Sequence, residues 1–141
     1  MTLTAAQEKA LKAIKFLARQ LPQEKGRELT GLIGELSVCN LPELRWDPSS
    51  GYDAIDQDGN HVQIKTRRDS KGGTVNSVGT VGKFTNFDFD YALYAELNTE
   101  FDVLSIYKIE RDALLSLIKR KDSALTVGDF RKYGRKVFNR K

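Results

Sequence analysis

Four residues carry side chains that could act together chemically: Glu35, Asp53, Gln63 and Lys65. The last three fall within residues 51–68. That stretch reads as two short strands, Tyr52 to Asp56 and His61 to Arg67, joined by Gln57-Asp58-Gly59. Loop length sets what such a hairpin brings together. A two-residue turn at Asp58-Gly59 pairs Ala54 with Gln63 and puts Asp53 on the other face. A three-residue loop, with Gly59 in the left-handed position, pairs Asp53 with Gln63 and sets Lys65 diagonally across. That register also gathers Tyr52, Ala54, Val62 and Ile64 on the opposite face, where they can be buried, so it is the register expected. The result is one carboxylate, one amide oxygen and one ammonium clustered on a sheet surface.

Glu35 comes from an element that must be brought to this hairpin. Glu24 to Asn40 reads as a helix with Leu29, Leu32, Ile33, Leu36 and Cys39 as its buried stripe. Glu28 and Glu35 are seven residues apart and share one side near the stripe's edge. Taken alone, a carboxylate at such a border is more often structural than catalytic. Gly31 and Gly34 change the balance, since each costs about 1 kcal/mol of helix propensity against Ala. A close approach of helix to sheet is one reason to keep them, and it would bring Glu35 near Asp53.

Asp53, nine intervening residues, then Gln63-Ile64-Lys65, with Gly34-Glu35 on a preceding helix, resembles the core motif of the PD-(D/E)XK nuclease superfamily. The resemblance covers residues 28–110 and carries Gln63 where most members have Glu or Asp, as in the Gln-x-Lys variant. It implies a restriction-endonuclease-like fold and a metal-dependent endonuclease that hydrolyses phosphodiester bonds, with DNA the expected substrate. It also implies Mg²⁺ or Mn²⁺ as cofactor. Asp53 would be a direct ligand, the Gln63 side-chain oxygen and the Ile64 carbonyl further ligands, and Glu35 would bind through a water or complete the shell. Lys65 would orient the attacking water and offset charge developing on the phosphate. Gln63 removes one negative charge, which leaves two readings open: an active enzyme in which Glu35 compensates, or a catalytically weak nuclease-fold protein serving as a nucleic-acid-binding or protein-interaction module. A homodimer is a further expectation of the same analogy, and a specificity-giving protein partner is an expectation of the 141-residue length, which leaves little room for a dedicated recognition domain.

The whole chain sets the frame. At 141 residues it fits one nuclease-like domain, 1–141, large enough to bury a core without staples. Its one cysteine, Cys39, excludes a disulfide framework and reads as a small buried hydrophobe. The single His61 cannot build a histidine-based metal centre and reads as a satisfied surface residue. Asp56, Asp58 and Asn60 read as turn residues, because the rest of a calcium loop is missing. No stretch reaches the roughly 18 apolar residues of a membrane span, and the N-terminus lacks a signal peptide's apolar run. A cytoplasmic protein without a membrane partner is expected.

Net charge is +4, but unevenly spread: residues 119–141 hold nine Lys or Arg against Asp122 and Asp129. Such a surface suits phosphate backbones as well as it suits a solubilising tail. Arg67, Arg68, Lys71 and Lys83 around a glycine-rich segment, 69–85, and Arg131, Lys132, Arg135 and Lys136 near the end are the candidate nucleic-acid contacts.

The remaining elements follow from periodicity. Residues 4–21 read as a helix capped by Thr4, with Ala10, Ile14, Leu17 and Leu21 inward and Pro22 as its stop. Glu43 to Asp47 is a short strand; Phe89 to Leu97 and Phe101 to Ile109 are strands whose aromatics belong to a core covered on both faces. Glu110 to Lys121 and Thr126 to Tyr133 are helices, and the end, Arg131 to Lys141, mixes basic and aromatic residues that could lie along a phosphate backbone, with no strand expected there. This order predicts an α/β (α+β) architecture, a mixed central sheet flanked by helices.

Overall fold

The computed structural model describes residues 3–19, 27–41, 43–47, 51–68, 81, 84, 87–120 and 125–140, without the side chains of residues 17, 18, 27–30 and 120. In chain order these residues form α1 (Ala5–Arg19), α2 (Arg27–Asn40), β1 (Arg45–Trp46), β2 (Ala54–Ile55), β3 (His61–Arg68), β4 (Tyr91–Leu97), β5 (Val103–Glu110), α3 (Arg111–Arg120), α4 (Val127–Tyr133) and β6 (Arg135–Asn139). The strands lie side by side in sequence order. β3 and β4 run parallel and every other neighbouring pair antiparallel, so the sheet is mixed and the class is α/β.

Local chemistry explains the ends of the elements. Thr4 and Gln7 cap α1 reciprocally: the Gln7 N–H donates to Thr4 Oγ1 (3.1 Å) and the Thr4 N–H to Gln7 Oε1 (2.9 Å). Thr126 and Asp129 make the same box at α4. The inward stripe of α1 runs through Leu11 and Ile14, whereas Ala10, expected to be buried, is exposed. A small side chain sets the phase of a helix less firmly than its long neighbours.

The core lies on both faces of the sheet. On one face α1 and α2 pack Leu11, Ile33, Leu36 and Cys39 against Val62, Ile64, Leu93 and Ile106. On the other, Leu114, Leu117, Val127 and Phe130 of α3 and α4 cover Ala92, Tyr94, Tyr107 and Ile109. β4 is therefore buried along its length, as its near-continuous apolar sequence requires. Its one charge, Glu96, is gripped by Arg131 of α4, whose Nε and Nη2 donate to Oε1 and Oε2 at 2.8 and 2.6 Å.

Two expectations need correction. The basic end is not a tail: Arg135–Asn139 is a sixth strand on β5, its register broken by a bulge. It lies at the sheet's edge with only Phe138 packed on the core, so it lacks the alternation that marks a half-buried strand. Tyr52, placed with Ala54 by strict alternation, instead stacks on His61 (centroids 3.9 Å apart, planes at 23°). β2 is paired only at Ala54 and Ile55, and the chain bends at Asp53, which breaks the alternation there.

The helix–sheet approach turns on one glycine. A Cβ at Gly34 would lie 2.2–2.8 Å from the Thr66 side chain on β3, whereas a Cβ at Gly31 would meet nothing within 4 Å. Gly34→Ala should therefore destabilise the protein by about 1–3 kcal/mol through overpacking. Gly31→Ala should stabilise it by up to about 1 kcal/mol through helix propensity. Urea denaturation of both variants checks this opposite pair of signs.

Candidate active site at the strand fork

The site begins with the register of the hairpin. Ala54 pairs with Val62 and Ile55 with His61 across a three-residue loop, and Asp53, just outside the paired residues, reaches Gln63 through its side chain. Gly59 takes φ +84° in that loop, and the Asp56 carboxylate ties it together. That carboxylate accepts from the backbone N–H groups of Asp58 (2.9 Å) and Asn60 (2.8 Å), from Asn60 Nδ2 (3.1 Å) and from the Tyr91 hydroxyl (2.9 Å). Against a desolvation effect that would raise it, these bonds lower the Asp56 pKa. Asp56 and Asn60 are thus turn residues, as their sequence context indicated.

Beyond Ala54 the two strands part, and Asp53 occupies the fork. Its backbone N–H still donates to the Val62 carbonyl (2.8 Å). Its carboxylate then takes the place of a strand: Oδ2 accepts from the Ile64 backbone N–H (2.8 Å) and from Gln63 Nε2 (2.9 Å). The Ile64 carbonyl is directed to this same side, because the N–H and C=O of one strand residue point together. Gln63 and Lys65 alternate with the buried Val62 and Ile64, so they face the other way.

Glu35 is brought to this fork by α2. The Gly34–Thr66 contact holds the helix close to β3, and Trp46 Nε1 on β1 donates to Glu35 Oε2 at 3.3 Å. Burial first, and the Asp53 charge second, push the Glu35 carboxyl up to about 7, while the Trp46 hydrogen bond and Lys65 oppose the shift. Burial also raises the Asp53 pKa, against the Ile64 N–H and Lys65. Glu35, Asp53 and Lys65 are therefore electrostatically coupled, two partly buried carboxylates and one ammonium, with Gln63 hydrogen-bonded to Asp53. Cys39, one turn beyond Glu35, is fully buried, and desolvation with the charges of Glu35 and Asp53 holds its thiol at about 12, which excludes a nucleophilic thiolate.

Sequence reasoning missed three supporting residues. Trp46 orients Glu35; its being the chain's only tryptophan, on the strand next to the fork, was the available signal. Thr66 receives the helix. Phe84 lies under the Lys65 ammonium, 5.2 Å from Nζ to ring centroid. No sequence pattern marks the last two.

The predicted nucleic-acid contacts scatter. Lys71 and Lys83, with most of the 69–85 segment, lie outside the described residues. Arg68 donates twice to the Thr99 carbonyl (3.1 and 2.6 Å) and sits 3.9 Å over the Phe101 ring, so it is bound into the fold. Arg131 serves Glu96. Arg67 shares the face of Lys65 by alternation. Lys132 lies over Tyr133, and Arg135 is exposed on β6. Lys136 lies over Tyr107 and joins one cross-strand row, Lys65–Tyr94–Tyr107–Lys136, running across the sheet from the fork to its edge. Tyr94, Tyr107 and Tyr91 are core residues, as expected.

Among the described residues no group of three or more His, Cys, Asp and Glu is placed to hold a metal ion. The residues at the fork that could hold a hard divalent cation are the carboxylates of Asp53 and Glu35, with the Gln63 amide and Ile64 carbonyl oxygens, a donor chemistry of oxygens alone. Among the described residues no helix is long and apolar enough to cross a membrane. No family model matches the chain, and no curated protein is similar to it.

The Glu35 shift sets a pH dependence. Between its ordinary value of 4.5 and about 7 the folded protein holds a proton that the unfolded chain has released. Stability must therefore fall as pH rises through that window. Glu35→Gln should be more stable than the wild type at pH 8 and nearly equal to it at pH 4.5. Thermal melts of the two proteins across this range measure the difference.

Proposed function

We propose that the protein is a metal-dependent endonuclease that hydrolyses phosphodiester bonds, with DNA as substrate and Mg²⁺ or Mn²⁺ as cofactor. The observation that supports this reading best is the convergence of Glu35, Asp53, Gln63 and Lys65 at one fork from three separate elements. The same four residues carry the sequence resemblance to the PD-(D/E)XK nucleases.

Each residue has a part that follows from its position. Asp53, fixed through Oδ2 by Ile64 and Gln63, offers Oδ1 to a cation. Glu35, held by Trp46, supplies the second carboxylate as pH rises above about 7. Gln63 presents its amide N–H to Asp53 and so orients that carboxylate as well as lying beside the site. Lys65 sits where its ammonium can orient an attacking water and offset charge on the phosphate oxygens. A bound divalent cation supplies Lewis-acid activation of the phosphate and of water. Arg67, on the face of Lys65, can receive a neighbouring phosphate of the same substrate.

Gln63 favours one alternative. Its bond to Asp53 leaves the site one carboxylate poorer than a Glu would, which suits a nuclease-fold module that binds nucleic acid or protein without efficient cleavage. A homodimer or a specificity-giving partner is compatible with either reading.

The test is cleavage of labelled linear, nicked, branched and single-stranded DNA with Mg²⁺, Mn²⁺ or EDTA. Wild type should cut only with a divalent cation. Asp53→Ala should not cut, and Lys65→Ala should lose at least about 100-fold in rate while still binding DNA. Binding without cutting on every substrate would select the non-catalytic module; undiminished cutting by Lys65→Ala would remove Lys65 from the chemistry.

A further inference from the structure

Lys65 takes a partner that its charge alone does not predict. Its ammonium is coupled to both carboxylates of the fork, where it opposes the burial that raises the pKa of each. Yet among the described residues it forms no hydrogen bond or ion pair with either of them. It lies instead over the Phe84 ring, 5.2 Å from Nζ to centroid, within reach of a cation–π attraction. A lysine ammonium is a compact charge on a flexible four-carbon stem, so its own side chain does not keep it off Asp53.

The ring is itself held in place. Phe84 packs beside Phe89 and Phe130, with centroids 6.0 and 6.2 Å away, and both of these are only 1% exposed. Tyr94, the cross-strand neighbour of Lys65, lies 5.4 Å from the same Phe130 ring and is fully buried. Lys65 therefore leaves the sheet beside an aromatic cluster anchored in the core. The negative face of the Phe84 ring competes for the ammonium with the two carboxylates. An aliphatic side chain of similar size would fill the space without offering that face.

The competition matters because both carboxylates are candidate ligands of one cation. An ammonium that closed onto Asp53 or Glu35 would neutralise the charge that a divalent ion needs. We infer that Phe84 is a positioning residue: its ring holds the Lys65 ammonium off Asp53 and Glu35, leaving the carboxylates open to a divalent cation and the ammonium free for a phosphate. The inference rests on the reading of the fork as a cation site.

The test is Mn²⁺ binding to the full chain at pH 8, measured by isothermal titration in a double-mutant cycle. Phe84→Leu, checked for folding by its amide NMR spectrum, should bind Mn²⁺ about two- to fivefold more weakly than the wild type. Phe84→Tyr keeps the ring face and should bind as the wild type does. Lys65→Met removes the competing ammonium, so adding Phe84→Leu to it should change nothing further. A loss in Phe84→Leu that persists beside Lys65→Met would mark Phe84 as merely structural and overturn the inference, as would wild-type affinity in Phe84→Leu. Absence of Mn²⁺ binding by the wild type would remove the cation site and the inference with it. One readout needs neither metal nor a Phe84 variant: the ring should shift the Lys65 ε-methylene protons upfield in the wild-type NMR spectrum. Shifts like those of an exposed lysine would also overturn the inference.

Discussion

The hydrogen bond from the Ile64 backbone N–H to the Asp53 carboxylate is the contact on which the site depends. It lets one side chain do two things at once. As an acceptor it satisfies the first β3 donor left over when β2 turns away; as a carboxylate it places negative charge beside Glu35 and Lys65. An unpaired N–H at that point would be costly to bury, so the ladder itself holds Asp53 in place. The arrangement exists only in one register. A slip by one residue would send Gln63 and Lys65 into the core and Val62 and Ile64 out of it. Gly59 in its left-handed conformation and the four bonds accepted by Asp56 guard against that slip.

Electrostatics then sets the character of the cluster. Two carboxylates share a partly buried fork with one ammonium, and the Glu35 carboxyl rises to about 7 in consequence. Perturbed carboxylates gathered at one place are a mark of functional sites, although ion-pair networks perturb them too. Trp46 limits the rise by donating to Glu35 while fixing its direction. Gln63 donates its amide N–H to Asp53 and so helps to fix the direction of that carboxylate.

Much of this was legible in the sequence, for identifiable reasons. The hairpin register followed from gathering Tyr52, Ala54, Val62 and Ile64 on one face that can be buried, and it held although Tyr52 itself stacks on His61 instead. The role of Gly34 followed from the propensity cost of a glycine inside an apolar helix, whereas Gly31 shows that such a cost need not signal a contact. What stayed hidden depends on tertiary partners. β6 carries Arg135 and Lys136 on an exposed edge and reads as a tail until β5 is there to pair it. Arg68 and Arg131 look like phosphate contacts in a charge count, and only the folded chain brings them to Thr99 and Glu96. Charge composition identifies a basic surface, but it does not say which bases the fold has already used.

The claim that the fork is a cation site is tested most directly by isothermal titration with Mn²⁺ at pH 8, comparing wild type, Asp53→Asn and Glu35→Gln. The account predicts one site per chain in the wild type, weakened in Glu35→Gln and lost in Asp53→Asn. Absence of binding by the wild type, or binding that survives unchanged in Asp53→Asn, would contradict it.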